Sequence, residues 1–184
     1  MVGTAGNLST RLDDESFWIT VSGKDKGELQ TEDFIRVQPD GSVVERSHPG
    51  DKPSAETSIH ETIYRMFPDA RACFHVHSVP ANIISSFAEL GLLTLPPLEM
   101  IKGLGIWEEN PQVSLDVFEN HLNVPSVAKE IEKRFSKSRP QVPALLIRFH
   151  GITVWAPSIR EARNRLEVLE FVFSYMVEMK KLER

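Results

Sequence analysis

Residues 70–77 read ARACFHVH, an apolar run that two histidines enter near its end. Pro68 stands upstream, and Ser78 followed by Pro80 stands downstream. A short apolar run with such boundaries reads as a buried strand. Successive strand side chains point to opposite faces, so His75 and His77 share one face. A fold that buries this strand must either satisfy two imidazoles in its core or use them. Two readings stay open on this evidence alone: core histidines with backbone partners, or two ligands of a metal site.

Around this strand the remaining segments fall into short pieces. FWITV at 17–21, FIRVQ at 34–38 and SVVE after the turn PDG read as strands. SHPGDKP at 47–53 is a loop, because two prolines and a glycine exclude regular structure. A helix is expected from about Ala55 to Met66, closed by Pro68. Ser78 caps a further helix with Pro80 in its first turn, running to about Glu89, and TLPPLEMI at 94–101 is extended by its prolines. Pro125 introduces a helix to about Phe135, and ALLIRF and TVWAP pair across a turn at His150 and Gly151. Ser158 and Glu161 form a capping box for a C-terminal helix on which Ile159, Ala162, Leu166, Leu169, Phe173 and Met176 recur at helical spacing. The connections between strands are too short for a regular βαβ array. An α/β fold is expected, with a central, mainly antiparallel sheet flanked by helices.

The other four histidines bear on the metal question. His150 stands at a strand end before Gly151, where a tight turn can aim it at a neighbouring strand. His48 lies in the proline loop, His60 falls in mid-helix and His121 sits in the asparagine-flanked ENHLN, which suit solvated or structural roles. His75, His77 and His150 are therefore the economical triad. Three protein ligands and an open position make the catalytic arrangement of a metal such as zinc. A metal that polarises a carbonyl still needs a proton carrier. Two glutamates are candidates: Glu56 at a helix start in KPSAETS, and Glu99 in the apolar LPPLEMIKG. Either has a plainer role available, Glu56 at the helix N-terminus and Glu99 as a partner for Lys102.

GTAGN at 3–7, TVSGK at 20–24 and KPSAE at 52–56 combine small residues with hydroxyl, amide or ammonium groups. Such loops can cradle an anion on backbone donors, although none matches a nucleotide motif and each also reads as a plain turn. Beside a metal triad they suggest a small phosphorylated substrate. The formal charge of −5, with both signs interspersed, argues against nucleic acid as the main partner. Cys73 is the sole cysteine, so no intrachain disulfide forms. With no signal-peptide pattern and no apolar run of membrane length, no membrane association and a cytoplasmic location are expected. The 184 residues, 41% hydrophobic and 26% charged, fit one domain over residues 1–184.

The order GTAGNLS, SG, Pro-Ser-Ala-Glu, HVHS, EMIKG and a late His-Gly before a strand resembles the class II aldolase/adducin family. HVHS, LEMIKG and RFHGITVWA are similar to its dehydratase branch in particular. The resemblance covers the chain from Gly3 to about Lys181 and implies an α/β/α fold around an antiparallel sheet. It implies one Zn²⁺ per subunit on His75, His77 and His150, and Glu99 as acid/base, with Glu56 in the place where the sugar-phosphate aldolases carry their base. The phosphate would fall to Thr4, Gly6, Asn7, Ser22, Gly23 and Ser54. Ala55 departs from the paired serines of the aldolases, which favours dehydration of 5-methylthioribulose 1-phosphate in methionine salvage over retro-aldol cleavage of a ketose 1-phosphate. A non-catalytic adducin-like interaction module is the third reading. Members usually carry a helix before the GTAGN-type stretch, at which this sequence begins, and they tend to form tetramers with active sites at subunit boundaries, so a homotetramer is expected.

Overall fold

The computed structural model describes residues 6–183. Among the described residues nine strands form one sheet: β1 (Gly6–Arg11), β2 (Phe17–Thr20), β3 (Phe34–Val37), β4 (Val43–Glu45), β5 (Ala72–Val76), β6 (Leu92–Leu95), β7 (Val113–Phe118), β8 (Ala144–Ile147) and β9 (Gly151–Ala156). Their spatial order is β4-β3-β2-β1-β5-β9-β8-β7-β6, and only β7 and β8 run parallel. Four α-helices cover the sheet: α1 (Thr57–Met66), α2 (Val79–Ser85), α3 (Val124–Phe135) and α4 (Ile159–Leu182). The mainly antiparallel sheet with helices on both faces agrees with the expected class.

Alternation along β5 sorts the layers, since all five of its residues are buried. Ala72, Phe74 and Val76 join a core cluster with α2 and α4, which supply Ile84, Leu166, Leu169 and Phe173. Cys73 enters the opposite cluster with Trp155, Ile59 and Ile63 of α1 and Ile131 of α3. His75 has the parity of Cys73, so it faces the layer that holds α1.

Three expectations are revised. α2 stops at Ser85 rather than near Glu89, because Ser85 and Ser86 turn their hydroxyls back onto Asn82 and Ile83 carbonyls. Leu90 and Gly91 then take positive φ and start a tight turn into β6. The segment TLPPLEMI is not extended throughout: after Pro96 and Pro97 the chain winds into a 3₁₀ helix, Glu99–Leu104, that buries Ile101 and Leu104 against the α4 side. GNLSTR forms β1 where a glycine-rich loop is expected, and VSLDVF, whose apolar and polar residues alternate, forms β7, a strand not singled out above.

Candidate metal centre and substrate cavity

One cross-strand row seeds the site. Asn7 on β1, His75 on β5 and Thr153 on β9 stand opposite one another, so all three project to the same face. The Nδ1 of His75 lies 2.9 Å from Thr153 Oγ1. With Nδ1–H donating there, Nε2 presents a lone pair, the usual way an outer hydrogen bond orients a ligating imidazole. His77 follows β5 on the same face, its Nε2 2.9 Å from that of His75. His150 arrives from the β8–β9 turn. That turn is held by Asn82 Nδ2, which donates to the His150 carbonyl at 2.8 Å, and by Phe149, which takes φ +53° while its N–H donates to Ser85 Oγ.

Glu56 completes the group from the N-cap of α1. Its Oε1 lies 3.3 Å from His75 Nε2 and 3.0 Å from His150 Nε2, buried and without a well-aligned hydrogen bond. Its Oε2 accepts from Asn7 Nδ2. One ligand atom from each of Glu56, His75, His77 and His150 lies within 4.8 Å of the others. Burial pushes the His75 imidazole down to about 3, against the pull of Glu56. Burial also lowers His77, with the His150 ring adding to the effect. Burial works to raise the Glu56 carboxyl, but His150, His75 and the Asn7 amide outweigh it and hold it at about 2. At neutral pH His75 and His77 are thus neutral and Glu56 is ionised, and with His150 they turn donor atoms toward one point. Such a set fits a divalent cation far better than it fits itself, and imidazole-rich donors suit zinc or iron.

The centre opens onto a cavity of ≈ 580 Å³ to which Glu56 and His150 contribute. Five residues of the expected phosphate cradle line it: Gly6, Asn7, Ser22, Gly23 and Ser54. Thr4, the sixth, lies outside the described residues. The Ser22 N–H donates to Lys52 O and the Ser54 N–H to Thr20 O, so these serines offer the cavity their hydroxyls. Lys24 and Lys26 also line it. Lys24 is tied to Asp33 at 2.9 Å, while Lys26 is braced on the carbonyls of Val21 and Lys24.

Glu99 is elsewhere. It starts the 3₁₀ helix packed on the α4 side, the layer opposite to the one His75 faces, and pairs with Lys102 at 2.8 Å with its side chain 84% exposed. Of the two glutamates, the fold brings Glu56 and not Glu99 into the cluster of its own chain. Reading the sequence missed Lys26, although the run SGKDKG is a basic flank to the cradle. It also took His60 for a solvated or structural residue. His60 is fully buried, and its place four residues beyond Glu56 on one helix face was the available signal.

The profile of the family described as Class II Aldolase and Adducin N-terminal domain matches residues 1–177. A methylthioribulose-1-phosphate dehydratase of Microcystis aeruginosa is 59% identical over 177 residues, covering 96% of this chain and 86% of the relative. The enzyme of that name from Bacillus subtilis is 41% identical over 183 residues, covering 98% and 85%. Among solved structures, an L-fuculose 1-phosphate aldolase superposes with a TM-score of 0.79 at 23% identity, covering 100% of this chain and 80% of its own.

Proposed function

The chain belongs to the class II aldolase and adducin family, and from that premise we propose that it is a hydro-lyase converting 5-methylthioribulose 1-phosphate to the 2,3-diketo-5-methylthiopentyl phosphate. The observation that carries the reading is the convergence of three imidazoles and one carboxylate beside a cavity lined by hydroxyls and two lysines. The 59% identity with a dehydratase narrows the chemistry to loss of water.

His75, His77 and His150, with Glu56 beside them, would hold a zinc ion. When bound, the ion supplies positive charge for the oxygens at carbons 2 and 3, which lowers the cost of drawing a proton from carbon 3. Ser22, Gly23, Ser54 and the second N–H of Asn7 would anchor the phosphate, with Thr4 and Gly6 alongside and Lys26 as counter-cation. Glu99 takes the proton from carbon 3 and returns it to the hydroxyl leaving carbon 4 as water. The resulting enol then takes a proton at carbon 4 and becomes the diketone. Because Glu99 lies in the layer away from the cluster, it acts on the centre of a neighbouring copy in a homotetramer. A cytoplasmic location completes the reading.

A second reading has one observation in its favour. Glu56 is the carboxylate inside the cluster of its own chain, as a retro-aldolase using it as base would need. Incubating zinc-loaded protein and a chelated control with 5-methylthioribulose 1-phosphate, with products read by mass spectrometry, separates the two. Metal-dependent loss of one water supports the dehydratase. Cleavage into a three-carbon ketose phosphate and an aldehyde overturns it in favour of the aldolase.

A further inference from the structure

Behind Glu56 lies a row of buried polar groups that meets the cavity at Asn7 and continues away from it. His60 Nε2 is hydrogen-bonded to Asn7 Oδ1, and His60 Nδ1 lies 2.6 Å from Ser9 Oγ. Ser9 Oγ in turn lies 2.6 Å from the hydroxyl of Tyr64. His60, Ser9 and Tyr64 are all buried, and Ser9 stands two residues from Asn7 on the same face of β1. From these bonds we infer that His60 is a positioning residue that fixes the orientation of the Asn7 amide and, through it, the aim of the Glu56 carboxylate.

Bonding capacity, with His60 neutral, sets the directions in this row. The Glu56 carboxylate only accepts, so the Asn7 –NH₂ end must face it. The Asn7 carbonyl end, which also only accepts, therefore meets His60, and His60 carries its hydrogen on Nε2. A neutral imidazole with that tautomer accepts at Nδ1, so Ser9 donates to it and receives from Tyr64. The Cys73 carbonyl, 3.5 Å from Ser9 Oγ, is the weaker alternative acceptor. Burial keeps His60 neutral, as the tautomer requires. The row is not a proton wire, because a carboxamide passes no proton at ordinary cost. What it transmits is orientation: the two ends of an amide are nearly the same shape, and a flipped Asn7 would set its oxygen against the carboxylate. With Oε2 held by Asn7, Oε1 is left for the imidazoles.

This inference rests on the reading of Glu56 as part of the metal centre, so the test includes Glu56→Gln. In the intact zinc-loaded protein, long-range ¹H–¹⁵N NMR of the imidazoles should find His60 neutral with its hydrogen on Nε2. A hydrogen on Nδ1, or an imidazolium, overturns the inference. Zinc affinity, measured by competition with a chromogenic chelator, should fall roughly 10- to 100-fold in His60→Leu, the range expected when the partner of a ligand is lost. His60→Gln should recover most of it, since that side chain can accept from Ser9 and donate to Asn7. Should His60→Leu fail to fold, Ser9→Ala removes the donor to His60 Nδ1 and should weaken zinc in the same direction. A folded His60→Leu or Ser9→Ala protein with zinc affinity and kcat within about twofold of the parent sinks the inference. If Glu56→Gln also leaves both unchanged, the reading of Glu56 fails with it; if Glu56→Gln alone is impaired, only the role of His60 falls.

Discussion

Two glycines let the neighbouring strands close on β5 beside the histidines. A Cβ on Gly6, which has φ +136°, would stand 2.4 Å from the His75 carbonyl oxygen, and one on Gly151 would stand 2.3 Å from that of Val76. Neither neighbour can give way, because both atoms are backbone in the central strand. Gly151→Ala should therefore cost about 1–3 kcal/mol of stability by overpacking. It should also weaken metal binding, since His150 precedes the displaced residue; urea unfolding and a titration with zinc as the probe read the two effects. His60 gives a pH dependence at the same scale. Burial lowers it from 6.5 to about 4, with the nearby Glu56 charge opposing. As pH falls, the unfolded chain takes up its proton first, so the contribution is fully present above 6.5 and is lost between 6.5 and 4. Taken whole, that difference is worth roughly 3 kcal/mol. The urea midpoint should drop from about pH 7.5 to pH 5, and drop less in a folded His60→Leu protein; equal slopes in the two would refute the assignment.

At the scale of elements, α2 is short but does two jobs. Ser78 caps it by accepting from the Ala81 N–H at 3.1 Å, and its own hydroxyl donates to Glu170 of α4 at 2.8 Å. The far end of α2 holds the β8–β9 turn, where Arg148 Nη1 and the Phe149 N–H both bond to Ser85. Ser78→Ala should cost about 1 kcal/mol through the cap. Its Glu170 carboxyl, already raised by burial, also loses its donor. Because α2 clamps the turn that carries His150, chelator competition should show weaker zinc binding in Ser78→Ala, whereas a change in stability with unaltered affinity would mean that the clamp and the cap are independent. The helix ended early relative to its sequence pattern because serine hydroxyls compete for backbone carbonyls, which spacing of apolar residues does not register.

At the scale of the molecule, Phe171, Tyr175 and Met179 recur every four residues along α4 and are 50%, 38% and 39% exposed. An apolar stripe of that kind is suited to packing against another copy of the chain. Homo-oligomerisation through it would bring a second copy to the layer that carries Glu99. Light scattering should report a multiple of the protomer mass, and Phe171→Glu should lower it. If Glu99 works on a neighbouring copy, mixing inactive Glu99→Gln with inactive His75→Ala should restore part of the turnover, because some mixed sites then pair an intact triad with an intact Glu99. No recovery on mixing, with exchange of subunits verified, would return the acid/base role to the chain's own Glu56.

The sequence by itself determined the buried strand, the shared face of His75 and His77, the helix starts at Ser78, Pro125 and Ser158, and the class of the sheet. Each of these follows from local rules: alternation in strands, the missing N–H of proline, and hydroxyl capping. Only the tertiary structure decided which distant residues meet. Glu56 joins the histidines because α1 packs on the sheet face to which Asn7 and His75 project, and His60 reaches Asn7 for the same reason. Glu99 is set apart because its 3₁₀ helix packs in the opposite layer. Register and layer are properties of the whole sheet, fixed by how β1, β5 and β9 pair, and no single segment carries that information.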